Sequence, residues 1–343
     1  MPTQTMTKTM KAVQVSQKGG AFEVLDKEIP HPKAGQVRIR VEACGVCHSD
    51  ALVKFGIWPG IDYPRIPGHE IAGRIDEIGS GVRQWIPGQR VGVGWHGGHC
   101  FTCDACRRGD FILCQFEKIT AFHFDGGYAE YVVAPAEAVA AIPDGLSAEQ
   151  AAPLMCAGVT VFNALRNAGA RSGDRVAIQG IGGLGHLAIQ YANRMGFETI
   201  AIGRGQDKES MARQLGAHEY IDSTQKEWIA VLLKRGGARV ALATAPDAAS
   251  IATLIGGLGN NGKLVMVAAP GEALTFNATA MIAKRQSLAA WSSGVATDSE
   301  DALRFALRTG IHPIIEKFPL AQAGEAFDKM MAGKVRFRAV LVN

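Results

Sequence analysis

The sequence predicts a two-domain α/β protein, in which a β-rich domain precedes a doubly wound parallel sheet. Its 343 residues suffice for about two domains at roughly 150 residues each. Up to about residue 150 the chain is rich in Gly, Pro and short alternating runs, such as 37–41 and 128–133. From about Ala151 onward helical stretches alternate with buried strands, a pattern typical of a parallel sheet with helices on both faces.

Four apolar runs are the predicted strands of the parallel sheet, at 175–180, 199–204, 239–244 and 263–269. After about Gly294 the pattern predicts an amphipathic helix over 299–308 and a second helix near 320–333. A closing strand is predicted over 338–342. The pattern alone leaves open which of the two domains this tail joins.

Composition and charge exclude several classes of protein. Hydrophobic residues make up 47% and charged residues 20%, which permits a sizeable core and is not the composition of a disordered chain. The net charge of +4 is spread along the chain, so we expect neither a nucleic-acid nor a membrane partner. No run approaches the roughly 18–20 apolar residues of a membrane span. The first residues lack the apolar segment of a secretory signal, so we expect a cytoplasmic protein.

A glycine-rich turn at 180–185 lies between a predicted strand and a predicted helix. It has the pattern G-x-G-x-x-G, in which Gly180 permits a tight turn and Gly182 lets the backbone approach a pyrophosphate. Gly185 lets the helix pack closely on the strand, and Gly183 and Leu184 complete the turn. The flanking strand and helix favour a dinucleotide site over a turn that binds nothing.

The end of the second strand indicates which dinucleotide is preferred. An acid that binds the adenosine ribose of NAD is expected there, but the chain reads Gly203-Arg204. Arg204, with Lys208 as a second contact, would receive the 2′-phosphate of NADP. We therefore expect NADP to be favoured over NAD. The alternative is that Arg204 is a solvated surface residue and both cofactors are used. Asp207 is expected to cap the following helix.

Four of the seven cysteines lie within one short segment of the chain. They are Cys100, Cys103, Cys106 and Cys114. Such a set can enclose a tetrahedral ion, for which zinc is the usual occupant. An iron–sulfur pattern would continue with x3-C-P, but here the gap is seven residues and Gln115 follows. A zinc module that binds nucleic acid is the other alternative, and a single short loop in an enzyme-sized chain disfavours it.

Three more potential metal ligands, Cys47, His69 and Cys156, lie far apart in the sequence. Two thiolates and an imidazole leave the fourth position of zinc open to substrate, which is its catalytic arrangement. Taken singly, Cys156 could be a small core residue and His69 a loop histidine, but together they favour a site. Cys44 remains, and we assign it to the core.

These motifs, in this order, resemble those of the zinc-dependent medium-chain alcohol dehydrogenases, and the likeness runs from residue 10 to residue 343. They are Cys47-His48-Ser49-Asp50, Gly68-His69-Glu70, the four-cysteine loop, Cys156-Ala157-Gly158-Val159-Thr160 and the glycine turn. The resemblance implies a GroES-like catalytic domain of residues 1–152 and 294–343 around a Rossmann NAD(P)-binding domain of residues 153–293. It also implies two zinc ions per subunit, one catalytic and one structural, and a homotetramer or a dimer.

The resemblance also implies roles for the residues of the metal site. Cys47, His69 and Cys156 would bind the catalytic zinc, with Glu70 beside the metal. Asp50 would be the carboxylate that orients His69, a support that zinc-bound imidazoles generally require.

Further roles in proton transfer and cofactor binding come from the same resemblance. Ser49 would hold the substrate hydroxyl proton, and Thr160 would touch the nicotinamide. His48 and Arg338 would contact the pyrophosphate. Many members carry a histidine five residues after the first zinc cysteine, where this chain has Leu52, so the outer end of the proton relay must differ.

Trp58 and Trp95 stand where the resemblance places residues of the substrate pocket, although Trp58 could instead fill the β-domain core. Large rings favour flat or unbranched substrates, so we expect interconversion of primary aromatic or medium-chain alcohols and their aldehydes. A polyol or secondary-alcohol dehydrogenase of the same superfamily is the nearest alternative. Zinc-free quinone reductases of this superfamily lack both cysteine sets, so the sequence does not favour them. From another class, a non-catalytic zinc-stabilised interaction protein is the remaining alternative.

Overall fold

Residues 8–343 are described here from a computed structural model. Residues 1–7 lie outside the described residues, and the expectation that there is no secretory signal partly concerns them. The chain divides into two compact units. The first contains the described residues up to Cys156, with Gly294–Leu307 and Pro313–Asn343, and the second contains Ala157–Ser293 and Arg308–His312. The expected boundary at 152/153 thus lies four residues before the observed division, and 308–312 group with the second unit.

Short strands dominate the first unit, as the alternating runs predict. Its elements before the second unit are β1 (Thr9–Val15), β2 (Phe22–Glu28), β3 (Gln36–Val46), α1 (Asp50–Lys54), β4 (Ile71–Ile78), β5 (Arg90–Val93), β6 (His96–Gly98), α2 (Asp104–Arg107), β7 (Lys118–Ile119), β8 (Tyr131–Pro135), β9 (Val139–Ala141) and α3 (Ala148–Pro153). In β3, Val37, Ile39 and Val41 are buried while the residues between them are not, which is the predicted alternation.

The second unit alternates strands and helices. It contains α4 (Val159–Asn167), β10 (Arg175–Gln179), α5 (Gly185–Arg194), β11 (Glu198–Gly203), α6 (Glu209–Gln214), β12 (Glu219–Asp222), α7 (Trp228–Lys234), β13 (Ala238–Ala243), α8 (Ala248–Ile255), β14 (Leu258–Met266), α9 (Ala278–Lys284) and β15 (Ser287–Ala290). Its six strands are all parallel, in the order β12-β11-β10-β13-β14-β15. This order, 3-2-1-4-5-6, confirms the predicted doubly wound sheet.

Two strands of this sheet escaped the sequence prediction. β12 has only four residues, two of them half-buried, and β15 is an edge strand that is not buried at any position. Neither has the continuous apolar run by which buried parallel strands are found in a sequence.

The tail after Ser293 supplies most of its elements to the first unit. It contains α10 (Ala296–Thr309), β16 (Ile315–Pro319), α11 (Ala323–Met331) and β17 (Arg338–Val342). β17 pairs antiparallel with β3, so the predicted closing strand extends a seven-stranded sheet with the path β16-β17-β3-β4-β5-β9, in which β8 also pairs with β3. Within residues 8–343, no helix combines the length and the apolar character that crossing a membrane requires.

Candidate active site

Neighbouring strands bring the expected catalytic metal ligands together. Cys47 follows β3, while His69 and Glu70 precede β4, the antiparallel neighbour of β3. Cys156 lies in a π-helical turn, Leu154–Gly158, between α3 and α4. One ligand atom from each of these four residues lies within 4.8 Å of all the others. Irregular π turns of this kind are frequent at functional sites.

A buried carboxylate fixes two of these ligands at once. Asp50 Oδ1 is 3.0 Å from His69 Nδ1, and Asp50 Oδ2 accepts the main-chain N–H of Cys47 at 2.9 Å. Oδ2 also accepts the hydroxyl of Tyr128 at 2.8 Å. The Tyr128 ring in turn fills the space beside Gly68, where a Cβ would overlap it. Tyr128 therefore packs on the residue before His69 and holds the carboxylate that orients it.

The Nε2 atom of His69 is suited to bind a metal ion. Because an ionised carboxylate only accepts hydrogen bonds, Nδ1 donates its proton to Asp50, and Nε2 is the nitrogen that could bind a metal in place of a proton. Nε2 is buried and has no hydrogen-bond partner among residues 8–343. Buried polar atoms are rarely left unpaired, whereas a histidine held by a carboxylate is the usual form of a zinc ligand. Cys47, His69 and Cys156 thus fit a zinc ion whose fourth position is open while Glu70 stays bonded to Arg338.

Contacts within the cluster shift the pKa values of its titratable groups. The hydrogen bond with the Cys156 thiol lowers the pKa of Cys47 well below its ordinary value, and the same contact together with burial raises the pKa of Cys156. Burial alone would lower the pKa of His69, but Asp50 and Cys47 raise it well above its ordinary value. The cluster therefore holds one negative charge readily, and a divalent cation would compensate a second thiolate.

Glu70 is held behind the cluster by Arg338 of β17. Burial raises the pKa of Glu70 to about 7, and the Arg338 guanidinium, whose Nη2 donates to Oε1, opposes that rise. A Cβ at Gly45 would overlap Oε2, so this carboxylate needs a glycine on the neighbouring strand. Arg338 is buried, and the contact that the structure shows for it is with Glu70. Its contact with a pyrophosphate stays a prediction.

The four-cysteine loop is a second, more local cluster. The sulfurs of Cys100, Cys103, Cys106 and Cys114 all lie within 4.8 Å of one another. The main-chain N–H groups of Thr102 and Cys103 point at the sulfur of Cys100, at 3.4 and 3.3 Å, and the hydroxyl of Thr102 does so at 3.4 Å. These hydrogen bonds lower the pKa of Cys100 to about 6. Burial and the neighbouring cysteines raise the pKa of Cys106 to about 12, so a cation is needed to hold all four as thiolates, as in a closed zinc site.

Aromatic rings stand beside His69. Trp95 meets the His69 ring edge-on at 5.3 Å and contacts Phe122 at 4.9 Å between ring centroids. Trp58 packs against Phe122 at 5.7 Å and against Trp95 at 6.1 Å, and it is 39% exposed. Trp58 is therefore not a filler of the β-domain core, and Phe122 is a third ring that the sequence reasoning did not single out.

Two further expected site residues lie immediately before α1. Ser49 precedes α1 and is half-buried, and its side chain makes no capping hydrogen bond within the described chain. Its hydroxyl is therefore free to bind a substrate. His48 is exposed beside it. Leu52 packs among the apolar neighbours of Phe122, so it offers no group that could pass a proton.

The glycine turn of the second unit has the form that a phosphate requires. Gly180 has a φ of +91°, and a Cβ at Gly185 would overlap the carbonyl oxygen of Gly180. A Cβ at Gly182, by contrast, would meet no described protein atom within 4 Å. The protein itself does not need a glycine at 182, so the open space there fits a bound group. Gly183 and Leu184 lead into α5, which no side chain caps in the part of the chain described.

Other expected cofactor residues are placed as follows. β11 ends at Gly203, Arg204 is exposed, and Lys208 is half-exposed immediately before α6. The expectation that Asp207 caps this helix is wrong, because α6 begins at Glu209, one residue later than such a cap would require. Thr160 is buried in α4.

Sequence reasoning missed Tyr128, Phe122 and Gly45. Tyr128 follows a pair of glycines, a signal of close backbone approach, but it was used only as part of an alternating run. Phe122 and Gly45 carry no local signal, because their roles depend on contacts with distant segments.

Comparison with known proteins agrees with this geometry. The family model described as "Alcohol dehydrogenase GroES-like domain" matches residues 33–144, and "Zinc-binding dehydrogenase" matches residues 183–308. The chain is similar to alcohol dehydrogenase notN of Aspergillus sp. (strain MF297-2), with 46% identity over 98% of this chain and 99% of that protein. An alcohol dehydrogenase of Geobacillus stearothermophilus is 38% identical over 97% of this chain and 99% of its own length.

Among solved structures, a cinnamyl alcohol dehydrogenase of Sorghum bicolor superposes with a TM-score of 0.88 at 28% identity. The superposition covers 98% of this chain and 98% of the other. With a GroES-like domain, a Rossmann-type sheet and relatives that match nearly end to end, the chain belongs to the zinc-type medium-chain family of NAD(P)-dependent alcohol dehydrogenases.

Proposed function

We propose that the protein interconverts primary alcohols, aromatic or of medium chain length, and their aldehydes, with zinc as catalytic metal and NADP as favoured cofactor. One observation carries the proposal. Cys47, His69 and Cys156 meet around a buried, unpartnered His69 Nε2 that Asp50 holds in place. Three protein ligands are the set with which catalytic zinc keeps a position for substrate.

When bound, zinc would lower the pKa of an alcohol oxygen or polarise an aldehyde carbonyl, and the nicotinamide would accept or donate the hydride. The chain's own residues act around this chemistry. Asp50 fixes the tautomer and orientation of His69. The free hydroxyl of Ser49, two residues after Cys47, is suited to hold the proton that leaves the substrate oxygen. Glu70 remains beside the ligands, tied to Arg338.

The four-cysteine loop would hold the second zinc ion of each subunit. Four cysteine sulfurs can fill all four positions of a tetrahedral zinc ion, whereas the fourth residue of the other cluster, Glu70, is bonded to Arg338. This difference supports a structural role for the loop. Free thiols in both clusters suit a reducing compartment, and this supports the expected cytoplasmic location. Assembly into a homotetramer, or a dimer, remains a proposal from the family.

The wall of Trp58, Trp95 and Phe122 supports a flat or unbranched substrate. The rings lie within 6.1 Å of one another, and Trp95 contacts the His69 ring. A planar aromatic aldehyde would pack on such faces, whereas a branched secondary alcohol would collide with them. The sorghum protein, named for cinnamyl alcohol, is consistent with this class.

Arg204 and Lys208 support the preference for NADP. Both are cationic, Arg204 is exposed, and no carboxylate stands at the last residue of β11, which is Gly203. A guanidinium is well matched to a phosphate group because it can donate two parallel hydrogen bonds.

The test is the ratio of kcat/KM for NADPH and NADH with saturating benzaldehyde, on protein of known zinc content. A ratio far above one is expected. A ratio well below one would keep the dehydrogenase and overturn the cofactor preference. No turnover with either cofactor, despite two zinc ions per chain, would overturn the proposed activity.

A further inference from the structure

Tyr220, on the strand next to β11, limits which side chains fit at position 203. β12 is the parallel neighbour of β11, and Ala201 is in register with Tyr220. The Tyr220 side chain reaches forward along the sheet, and its hydroxyl donates to the carbonyl oxygen of Gly205. A Cβ built on Gly203 would lie 2.5 Å from the Tyr220 hydroxyl oxygen and 3.1 Å from two of its ring carbons. Any side chain at 203 therefore requires the end of Tyr220 to move.

Position 203 is part of the strand end where an acid for the adenosine ribose is expected. In this chain the volume that such a side chain would enter is taken by the end of the tyrosine. The tyrosine cannot swing aside without giving up its hydrogen bond to Gly205. Burial raises the pKa of Tyr220 to about 12, with a further contribution from Asp222, so it remains a neutral hydrogen-bond donor.

A carboxylate does stand nearby, and its oxygens accept hydrogen bonds from neighbouring loop residues. Asp222, at the end of β12, accepts the N–H of Gly205 at 2.8 Å. It also accepts the main-chain N–H and the hydroxyl of Thr224, at 2.9 and 2.8 Å, and the amide of Gln225 at 3.3 Å. Asp222 is 7% exposed. Three of these bonds are to Oδ1 and one is to Oδ2, and the bond from Gly205 fixes the loop that carries Arg204.

The same loop is held from a third side. The main-chain N–H and the hydroxyl of Ser223 donate to the carbonyl oxygen of Gly203, at 2.8 and 3.0 Å. Gly205 has a φ of +77°, which favours a glycine. Arg204 is thus an exposed side chain between two fixed glycines, and the residues after it include the exposed Asp207 and the half-exposed Lys208.

We propose that Tyr220 restricts position 203 to glycine, and that it thereby keeps a ribose-binding carboxylate out of the adenosine end of the cofactor site and leaves recognition to Arg204. The inference rests on the proposed function and deepens it. It implies that an acid introduced at 203 cannot serve NAD unless Tyr220 is removed as well.

The experiment measures binding of two probes that cannot react, 2′-phospho-ADP-ribose and ADP-ribose, by titration calorimetry on the full chain. The wild type is expected to bind the phosphorylated probe at least about tenfold more tightly, the difference expected of a charge-assisted pair with Arg204. Gly203→Asp should lose about tenfold in affinity for that probe and gain nothing for ADP-ribose. The double variant Gly203→Asp with Tyr220→Ala should gain about tenfold for ADP-ribose over Gly203→Asp.

Two further variants keep the test decisive. Tyr220→Ala alone leaves position 203 unchanged and should not gain affinity for ADP-ribose. If Gly203→Asp does not fold, as judged by thermal melting, Gly203→Ala introduces the same Cβ and should weaken both probes, with recovery on Tyr220→Ala. If Gly203→Asp alone binds ADP-ribose as well as the double variant does, the proposal for Tyr220 is overturned. If the wild type does not distinguish the probes, the NADP preference falls, while the two Gly203→Asp proteins still decide the role of Tyr220.

Discussion

The two cysteine clusters of the first unit are assembled in opposite ways. Cys100 to Cys114 belong to one short loop, and main-chain N–H groups of that loop bind their sulfurs. Cys47, His69 and Cys156 come from three segments spread between residues 47 and 156, which β3, β4 and a π-helical turn bring together. Their support comes from side chains, namely Asp50 and Tyr128.

This difference implies a stabilising role for the four-cysteine loop and a catalytic role for the cluster of Cys47, His69 and Cys156. Four thiolates close a tetrahedral ion on all sides, so the loop can only be stabilised by it. Two thiolates and one imidazole leave a position for substrate, and the buried carboxylate keeps the imidazole ready to bind metal. Damage to the first cluster should therefore appear in stability, and damage to the second in turnover.

The largest effect that tests this contrast is expected from Cys156→Ala. Loss of one of three ligands should remove the catalytic zinc and lower kcat/KM for aldehyde reduction by about a thousandfold or more, since zinc contributes several kcal/mol to such reactions. The four-cysteine loop should keep its ion. Cys44→Ala, in the same core but outside the cluster, is the matched control and should stay within about threefold of the wild type. Near-normal turnover of Cys156→Ala would contradict the assignment.

Cys114→Ser should show the opposite behaviour. The Cys114 sulfur accepts the N–H groups of Cys100 and Phe116, both at 3.3 Å, so its loss opens the loop. We expect a fall in melting temperature of about 5–10 °C. Activity per folded molecule should change by less than about twofold. If turnover falls as far as it does in Cys156→Ala, the two clusters do not have separate roles.

Tyr128→Phe tests whether the side-chain supports of the open cluster matter. It removes one hydrogen bond from Asp50 without emptying the core, and outer supports of metal ligands are worth about tenfold in metal affinity. Zinc should therefore leave the catalytic site about tenfold faster in the presence of a coloured chelator, while the other zinc is unaffected. Tyr191→Phe, equally buried in the second unit, is the control. Equal rates for both variants would show that Tyr128 only fills space.

Trp95→Ala should widen the space beside the open cluster. Relative to a short primary alcohol, kcat/KM for a branched secondary alcohol should rise about tenfold, the scale on which apolar pockets discriminate by size. An unchanged substrate profile would remove Trp95 from the pocket.

The smallest effect concerns proton release. Because Leu52 offers no proton acceptor, kcat for alcohol oxidation should decline more steeply below about pH 8 than in a Leu52→His variant. Imidazole buffer at constant pH should raise the wild-type rate by about two- to threefold and leave Leu52→His unaffected. A wild-type rate that does not change with imidazole would mean that another group already passes the proton to solvent.

The two clusters also differ in how far they could be predicted from the sequence. The spacing of the four cysteines is sufficient on its own, because loop and ligands are the same segment. For the open cluster, residue types alone suggested Cys47, His69 and Cys156 as a set, but without an informative spacing their roles as ligands came from the family resemblance. The residues that hold it were harder still: Tyr128 meets Asp50 only in the folded sheet, and the contact of Arg338 with Glu70 was not foreseen.

The parallel sheet shows the same limit. Strands such as β10 and β13 are continuous apolar runs and were found, whereas short β12 and exposed β15 were not. Missing β12 also hid Tyr220 and Asp222, so the sequence argument for NADP rested on Gly203, Arg204 and Lys208. Side chains that act across neighbouring strands are invisible until the pairing of those strands is known.

The central claim, that one cluster is open and the other closed, is tested most directly by replacing zinc with Co²⁺ and recording the visible spectrum as imidazole is added. Because the spectrum of Co²⁺ reports its ligands and geometry, the account predicts that the bands of one site shift with imidazole in the wild type and in Cys114→Ser. In Cys156→Ala these imidazole-sensitive bands should be missing. A wild-type spectrum that ignores imidazole, or a Cys156→Ala spectrum that still responds to it, would contradict the account.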